Sequence, residues 1–320
     1  MLSPCSTKYV FGFSALLVLS IGASNCTTQA NPLPVQISIR QGVTRLAAPS
    51  RFVLHPDVCP RDRVYISDEG TNSIQVFGEN RPHPAGCASI TAGIQLPDGI
   101  FVDRQGTLYV ANYGNSSVTE YPRNQTTPSA TLTTGVNYPT NTFVGRDGTL
   151  YVPETRFENT VLEFAKGATS PTRVISITNP RGAATDDMNN LYVAYDGTDG
   201  NSHVEMFKPK ATTGMDLGIT VKFAGDIKLT TKNEIVLGDR SKRVVNVYPP
   251  GQTVPSRTIH MKHGGDPYHF TLSRDESRLY VAGGSMHVGI YDFQTGAYID
   301  KFGKGAKIPY GVAIDPPAPY

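Results

Sequence analysis

Short apolar runs, each closed by a turn of Gly, Asp or Asn, recur along the chain from about residue 50 to residue 315. The clearest copy is LPDGIFVDRQGTLYVANYGNSSVTEY, Leu96 to Tyr121. Ile100–Val102 and Leu108–Ala111 are apolar runs separated by the turn Asp103–Gly106. After the polar turn Asn112–Ser116 comes a half-polar run that ends on Tyr121. Aromatic and β-branched runs bounded by such turns predict β-strands joined as hairpins.

The unit repeats. The centre of its second strand falls at Tyr65, Tyr109, Tyr151, Tyr192, Val236 and Tyr280, at intervals of about 41–44 residues. A third strand then ends on Phe77, Tyr121, Phe164, Phe207, Tyr248 and Tyr291. A weaker fourth strand follows around Ile90, Thr131, Ile175, Val221, Ile259 and Ile299. Four strands per forty-odd residues is the period of a propeller blade, and blades bury their faces only against one another. The pattern therefore predicts an all-β, six-bladed β-propeller of four-stranded antiparallel blades over residues 50–320. A seven-bladed ring with one abbreviated blade, closed by the two termini, is the alternative.

The two ends carry the spare strands. Arg51–Leu54 aligns with Ile100–Val102 and is expected to open the first blade, while Gly311–Asp315 is a further first-strand copy near the C-terminus. Gln36–Arg40 alternates like an edge strand within a spacer, residues 27–49. Before it, Val10–Ala23 is an apolar run of secretory length, so residues 1–26 read as a cleaved signal peptide with no transmembrane span left afterwards. Cys26 sits where a lipoprotein cysteine would, although Asn25 precedes it and no Leu lies three residues before it. The expected location is outside the cell or in the cell envelope.

Composition changes this picture little. The 31 Gly and 24 Pro suit a chain of frequent turns, and no segment carries a helical period. Cys59 and Cys87 are the cysteines left in the repeats, and their loops emerge on one side of the blade, so a disulfide is expected. The formal charge of +2 is scattered, with Arg240–Arg243 the densest group, read as a solvated hairpin. Nucleic-acid binding would need a broad basic face. The sequons at Asn25, Asn115 and Asn124 bear on glycosylation if the source is eukaryotic.

Two in-register sets are candidates for chemistry. Asp68, Asn112, Glu154, Asp196 and Asp239, with Gly283 in the sixth unit, end the second strands. A position filled alike in every blade points to a need of every blade, so these read as structural turn residues. Asp98, Asn141, Arg181, Asp226, His269 and Tyr310 precede or open the first strands, nearest the axis. Their identities vary, as expected of ligand-binding residues on a rigid scaffold. Asp98, Asn141 and Asp226 could supply oxygens to Ca2+ or another divalent cation. His260 and His263 are not spaced for one strand face, and neither G-x-S-x-G nor a P-loop is present, so no catalytic residues are assigned.

Leu96–Tyr121 resembles the NHL repeats of β-propellers, and the sixth unit, FTLSRDESRLYVAGGSMHVGIYDFQTGAYIDKF, is similar to YVTN repeats. The resemblance spans about residues 50–315 and implies architecture, because such repeats serve enzymes, scaffolds and ligand binders. The expected function is an exported binding or interaction module using the channel mouth and the loops of one face, for a protein, glycan or small-molecule ligand. The alternative is a divalent-metal-dependent lactonase or lyase of propeller type.

Overall fold

The computed structural model describes residue 54 and residues 59–79, 86–155, 158–262 and 265–318. The signal segment 1–26, the spacer 27–49 with Cys26 and Gln36–Arg40, and Arg51–Val53 lie outside them.

Six four-stranded antiparallel sheets make up the structure, and the described residues contain no α-helix. Blade one uses β1 (Arg63–Asp68), β2 (Ser73–Gly78) and β3 (Ala88–Ile90). Blade two is β4 (Pro97–Val102), β5 (Leu108–Asn112), β6 (Ser117–Tyr121) and β7 (Ala130–Leu132). Blade three is β8 (Phe143–Val144), β9 (Leu150–Glu154), β10 (Thr160–Phe164) and β11 (Arg173–Ser176). Blade four is β12 (Pro180–Thr185), β13 (Leu191–Asp196), β14 (Ser202–Phe207) and β15 (Met215–Val221). Blade five is β16 (Ala224–Leu229), β17 (Ile235–Asp239), β18 (Val244–Tyr248) and β19 (Arg257–His260). Blade six is β20 (His269–Leu272), β21 (Arg278–Ala282), β22 (Val288–Asp292) and β23 (Tyr298–Phe302).

The last strand, β24 (Pro309–Asp315), does not start a seventh blade. It pairs antiparallel with β1, Val64 opposite Ile314 and Ile66 opposite Val312, and becomes the inner strand of blade one. This corrects the expectation that Arg51–Leu54 opens that blade, because β24 holds the edge those residues would need. The only described residue of that segment, Leu54, bonds through its N–H to the Asn124 carbonyl at 2.8 Å. Closing with the far end of the chain satisfies β1's backbone groups and removes an exposed edge. The inner strands then touch in a complete ring, β24 to β4, β8, β12, β16, β20 and back to β24.

Local sequence explains the strands. Where the inner strand runs on in sequence into the second, the turn carries a local cap: Asp103 accepts the N–H groups of Gln105 and Thr107 at 2.9 and 2.8 Å, and Asp186 those of Met188 and Asn190. Thr230 fills the same place in blade five, whereas in blade three Gly145 stands there and Asp147, two residues on, accepts the Thr149 N–H at 3.0 Å. The second strands bury Val110, Val152, Val193 and Leu237 completely between neighbouring blades. Sheet-on-sheet burial of these aliphatic residues contributes roughly 1.5–3 kcal/mol per side chain.

Cys59 and Cys87 are joined by a disulfide, with Cα atoms 5.3 Å apart. Cys59 leads into β1 rather than joining strands one and two of the blade, since the inner strand is β24. Beside it Arg63 is buried and satisfied, donating to the carbonyls of Pro60 and Cys59 and to the Asn124 side chain at 2.7 Å. That hydrogen bond occupies the amide of one of the three sequons.

Candidate functional site

Pro-x-Gly at the start of an inner strand is the local device that builds the channel mouth. In Pro97-Asp98-Gly99, Pro180-Arg181-Gly182 and Pro309-Tyr310-Gly311 the pairing with the second strand slips within the tripeptide. The slip in blade five spans Gly225 and Asp226. A bulge of this kind leaves a residue out of the ladder and re-aims its side chain. Glycine is required because the next blade's backbone is close: a Cβ on Gly99 would lie 2.7 Å from the Thr140 carbonyl, and one on Gly311 would lie 2.5 Å from that of Asp98.

The variable residues meet in two layers. Beneath the surface, His269 lies buried between two carboxylates, its Nε2 3.1 Å from Asp98 Oδ1 and its Nδ1 3.7 Å from Asp226 Oδ2. The second distance suits an ion pair rather than a hydrogen bond, and Nδ1 has no hydrogen-bond partner. Asp226 also receives the Lys228 ammonium and, at 2.9 Å, the Asn141 side-chain amide. Burial disfavours the His269 imidazolium, but the two carboxylates outweigh it and raise the pKa above the ordinary histidine value. Burial likewise works against the Asp226 carboxylate, and Lys228 with His269 overcomes it, leaving the pKa below the usual range.

Above this layer opens a depression of about 360 Å3, lined by Glu69, Asp98, Tyr113, Arg181, Arg240, Tyr268, Tyr310 and neighbouring backbone. One wall is a stack: the Arg181 and Arg240 guanidiniums lie 4.7 and 4.8 Å from the Phe223 ring centre. Arg240 is also 4.3 Å from Tyr268, whose ring is 5.2 Å from Tyr310. Cation–π contact and ion pairs to Asp196 and Asp266 hold the two arginines in place. The Tyr268 hydroxyl donates to Asp98 at 3.2 Å, and burial first, then the Asp98 charge, pushes its pKa well above the ordinary value.

Asp98, Arg181 and Tyr310 thus line the depression, whereas Asn141, Asp226 and His269 form its buried support. The geometry does not suit the metal-ligand set Asp98, Asn141 and Asp226. The Lys228 ammonium already neutralises Asp226, and Asn141 turns its amide nitrogen toward that carboxylate and its oxygen to the Thr142 N–H. Among the described residues no three His, Cys, Asp or Glu side chains are grouped to hold a metal ion.

The second-strand set anchors the loops that carry the mouth. Asp68 accepts the N–H groups of Lys307 and Ile308, Asn112 that of Gln95, Glu154 that of Asn137 and Asp239 that of Lys222. Asp196 instead takes the Arg181 guanidinium. The five N–H donors lie in segments entering an inner strand, and Arg181 lies in the inner strand β12 itself. Burial raises the Glu154 pKa to about 7, against the lowering effect of its hydrogen bonds from Asn137 and Thr160.

Lys228, Arg240 and Tyr268 escaped the sequence reading, whereas Glu69 was legible there as an extra carboxylate beside Asp68. Lys228 had a signal, a charge in the middle of the buried run Asp226–Leu229. Arg240 had none, since the Arg240–Arg243 hairpin reads as solvated until Phe223 and Tyr268 are brought beside it.

No protein-family model and no curated protein matches the chain. Among solved structures it is similar to a chain of the nidogen/laminin complex, with a TM-score of 0.64 and 17% identity over 79% of this chain and 98% of that chain. It is also similar to the hydrazine synthase of Kuenenia stuttgartiensis, with a TM-score of 0.55 and 16% identity over 80% of each chain. At these identities the likeness establishes the propeller fold alone, a scaffold found here both in a protein complex and in an enzyme.

Proposed function

We propose that this chain is an exported propeller of NHL- and YVTN-like repeats that binds a protein partner through its channel mouth. The observation that carries the reading is the assembly of six different residues, one per blade, around one depression and the buried network that supports it. No demand common to all blades accounts for their identities, while the ring holds them rigidly. The likeness to a chain crystallised in a protein complex supports a protein ligand over a glycan or small molecule. The disulfide and the apolar segment Val10–Ala23 support export. No helix among the described residues is long and apolar enough to cross a membrane. The ammonium of Lys228 on Asp226 weighs against the alternative of a divalent-metal-dependent lactonase or lyase.

The test is retention of extracellular proteins from the source on the immobilised chain, on Tyr310→Ala and on Arg274→Ala, which alters an exposed residue of the opposite face. A protein retained by the parent and by Arg274→Ala but lost from Tyr310→Ala is the expected result. Equal retention by all three would overturn the mouth as the binding surface.

A further inference from the structure

Charge pairing around the mouth leaves one group unanswered. Arg181 is paired with Asp196 and Arg240 with Asp266, while His269 and Lys228 serve Asp98 and Asp226. Glu69 also lines the depression, yet its carboxylate makes no hydrogen bond or ion pair with any described residue. The residual charge of the depression is therefore negative, although two guanidiniums stand in its wall. Those guanidiniums lie against Phe223 and Tyr268 and are already neutralised, so they offer an anion less than their number suggests.

The walls say which kind of cation fits. Leu96, Tyr113 and Tyr310 supply apolar and aromatic surface beside the two carboxylates. The protein itself seats a guanidinium against this wall, Arg240 on Tyr268, so the wall tolerates an organic cation. A bare metal ion would use none of that surface and would need grouped oxygen ligands. A side chain with an aliphatic stem and a charged head would use both the walls and the carboxylates.

Building on the mouth as the binding surface, we infer that it receives a lysine or arginine side chain of the protein partner, its head between Glu69 and Asp98 and its stem along Leu96, Tyr113 and Tyr310. The state of Glu69 agrees: partial burial and then the Asp98 charge raise its pKa, as happens to a carboxylate short of a positive neighbour.

The experiment titrates the full chain, with tyrosines isotopically labelled, with three capped amino acids: N-acetyl-lysine methylamide, its norleucine isostere and its glutamate counterpart. Tyrosine signals are followed by NMR. The lysine probe should shift the signals of Tyr113 and Tyr310 saturably. The norleucine probe should bind roughly tenfold or more weakly, and Glu69→Gln should weaken the lysine probe by a similar factor, as expected for a charge-assisted contact. Glu69 has no side-chain partner to lose, and near-ultraviolet circular dichroism verifies the fold of the variant. Equal binding of lysine and norleucine, or an unchanged lysine affinity in Glu69→Gln, would overturn the inference. Preference for glutamate would overturn it while leaving the mouth as a site. No response to any probe would count against both.

Discussion

Asp98 and His269 stand 171 residues apart in sequence and 3.1 Å apart in space, joining blade two to blade six across the end of the channel. Blade one lies between them, so the contact crosses the place where the ring is sealed. With Asp226 and Lys228 it forms a buried chain of alternating charge. Such a chain is only as good as its completeness, because an unpaired buried charge costs more than the pair contributes. This gives the site a stability signature independent of any ligand.

Replacing Lys228 with Met should therefore cost about 3–5 kcal/mol in urea-induced unfolding, since Asp226 would stay buried without its ammonium. The double variant Lys228→Met with Asp226→Leu should recover most of that loss. If the two substitutions were simply additive, Lys228 and Asp226 would not be energetically coupled.

Stability should fall as pH rises from about 4.5 to 8, with Glu154 and His269 among the groups responsible. Glu154 has its pKa raised to about 7 by burial, against 4.5 for the free group, so its neutral form is favoured on folding. The unfolded chain releases that proton first, and stability drains away between those two values. His269 has its pKa raised, so its contribution is complete below the unfolded value of 6.5 and is lost as pH climbs through the higher folded value. Glu154→Gln should remove the first component and be more stabilising at pH 8 than at pH 5, measured as urea midpoints. A pH-independent effect of that substitution would contradict a buried, proton-holding Glu154.

Cys59 and Cys87 close a loop with a sequence separation of 28 around β1 and β2. The loop-entropy relation gives about 3.5 kcal/mol for a link of this span. The double variant Cys59→Ala with Cys87→Ala should lose about that much, and dithiothreitol should lower the midpoint of the parent but not of the double variant. Sensitivity of the double variant to the reductant would show that the effect lies elsewhere.

The repeat made the architecture legible, because landmarks such as Tyr109 and Tyr121 recur at each blade for a reason every blade shares: the second strand is buried on both sides and needs its own turns. Closure was less so. Arg51–Leu54 and Gly311–Asp315 carry the same apolar pattern, and nothing local says which one β1 will accept; the choice is settled by long-range pairing. At the mouth, register alone selected Asp98, Arg181 and Tyr310, since position relative to a repeat survives without any contact information. Arg240 and Tyr268 were out of reach because their roles come from neighbours such as Phe223, which a one-dimensional pattern cannot place beside them. Lys228 was within reach, as a charge inside a run whose spacing already marked it as buried.

Closure itself can be tested at one atom. Ser67 donates its hydroxyl to the Asp98 carbonyl at 2.5 Å and accepts the Gly311 N–H at 2.7 Å, so it ties β1, β24 and β4 together where blade one meets blade two. Gly311 lies against this tie, and a Cβ there would come within 2.5 Å of the Asp98 oxygen and 2.7 Å of the Ser67 hydroxyl. Backbone on one side and a fully buried hydroxyl on the other leave no flexible group to yield. Gly311→Ala should then cost about 2 kcal/mol or more, the scale of overpacking a filled interior. Gly86→Ala is the fair comparison, since its Cβ would meet Phe77 at an ordinary 3.6 Å. Both variants would be followed by urea unfolding with the disulfide intact. A midpoint for Gly311→Ala matching that of Gly86→Ala would mean that β24 does not lie against β4, and the ring would have to be closed by another strand.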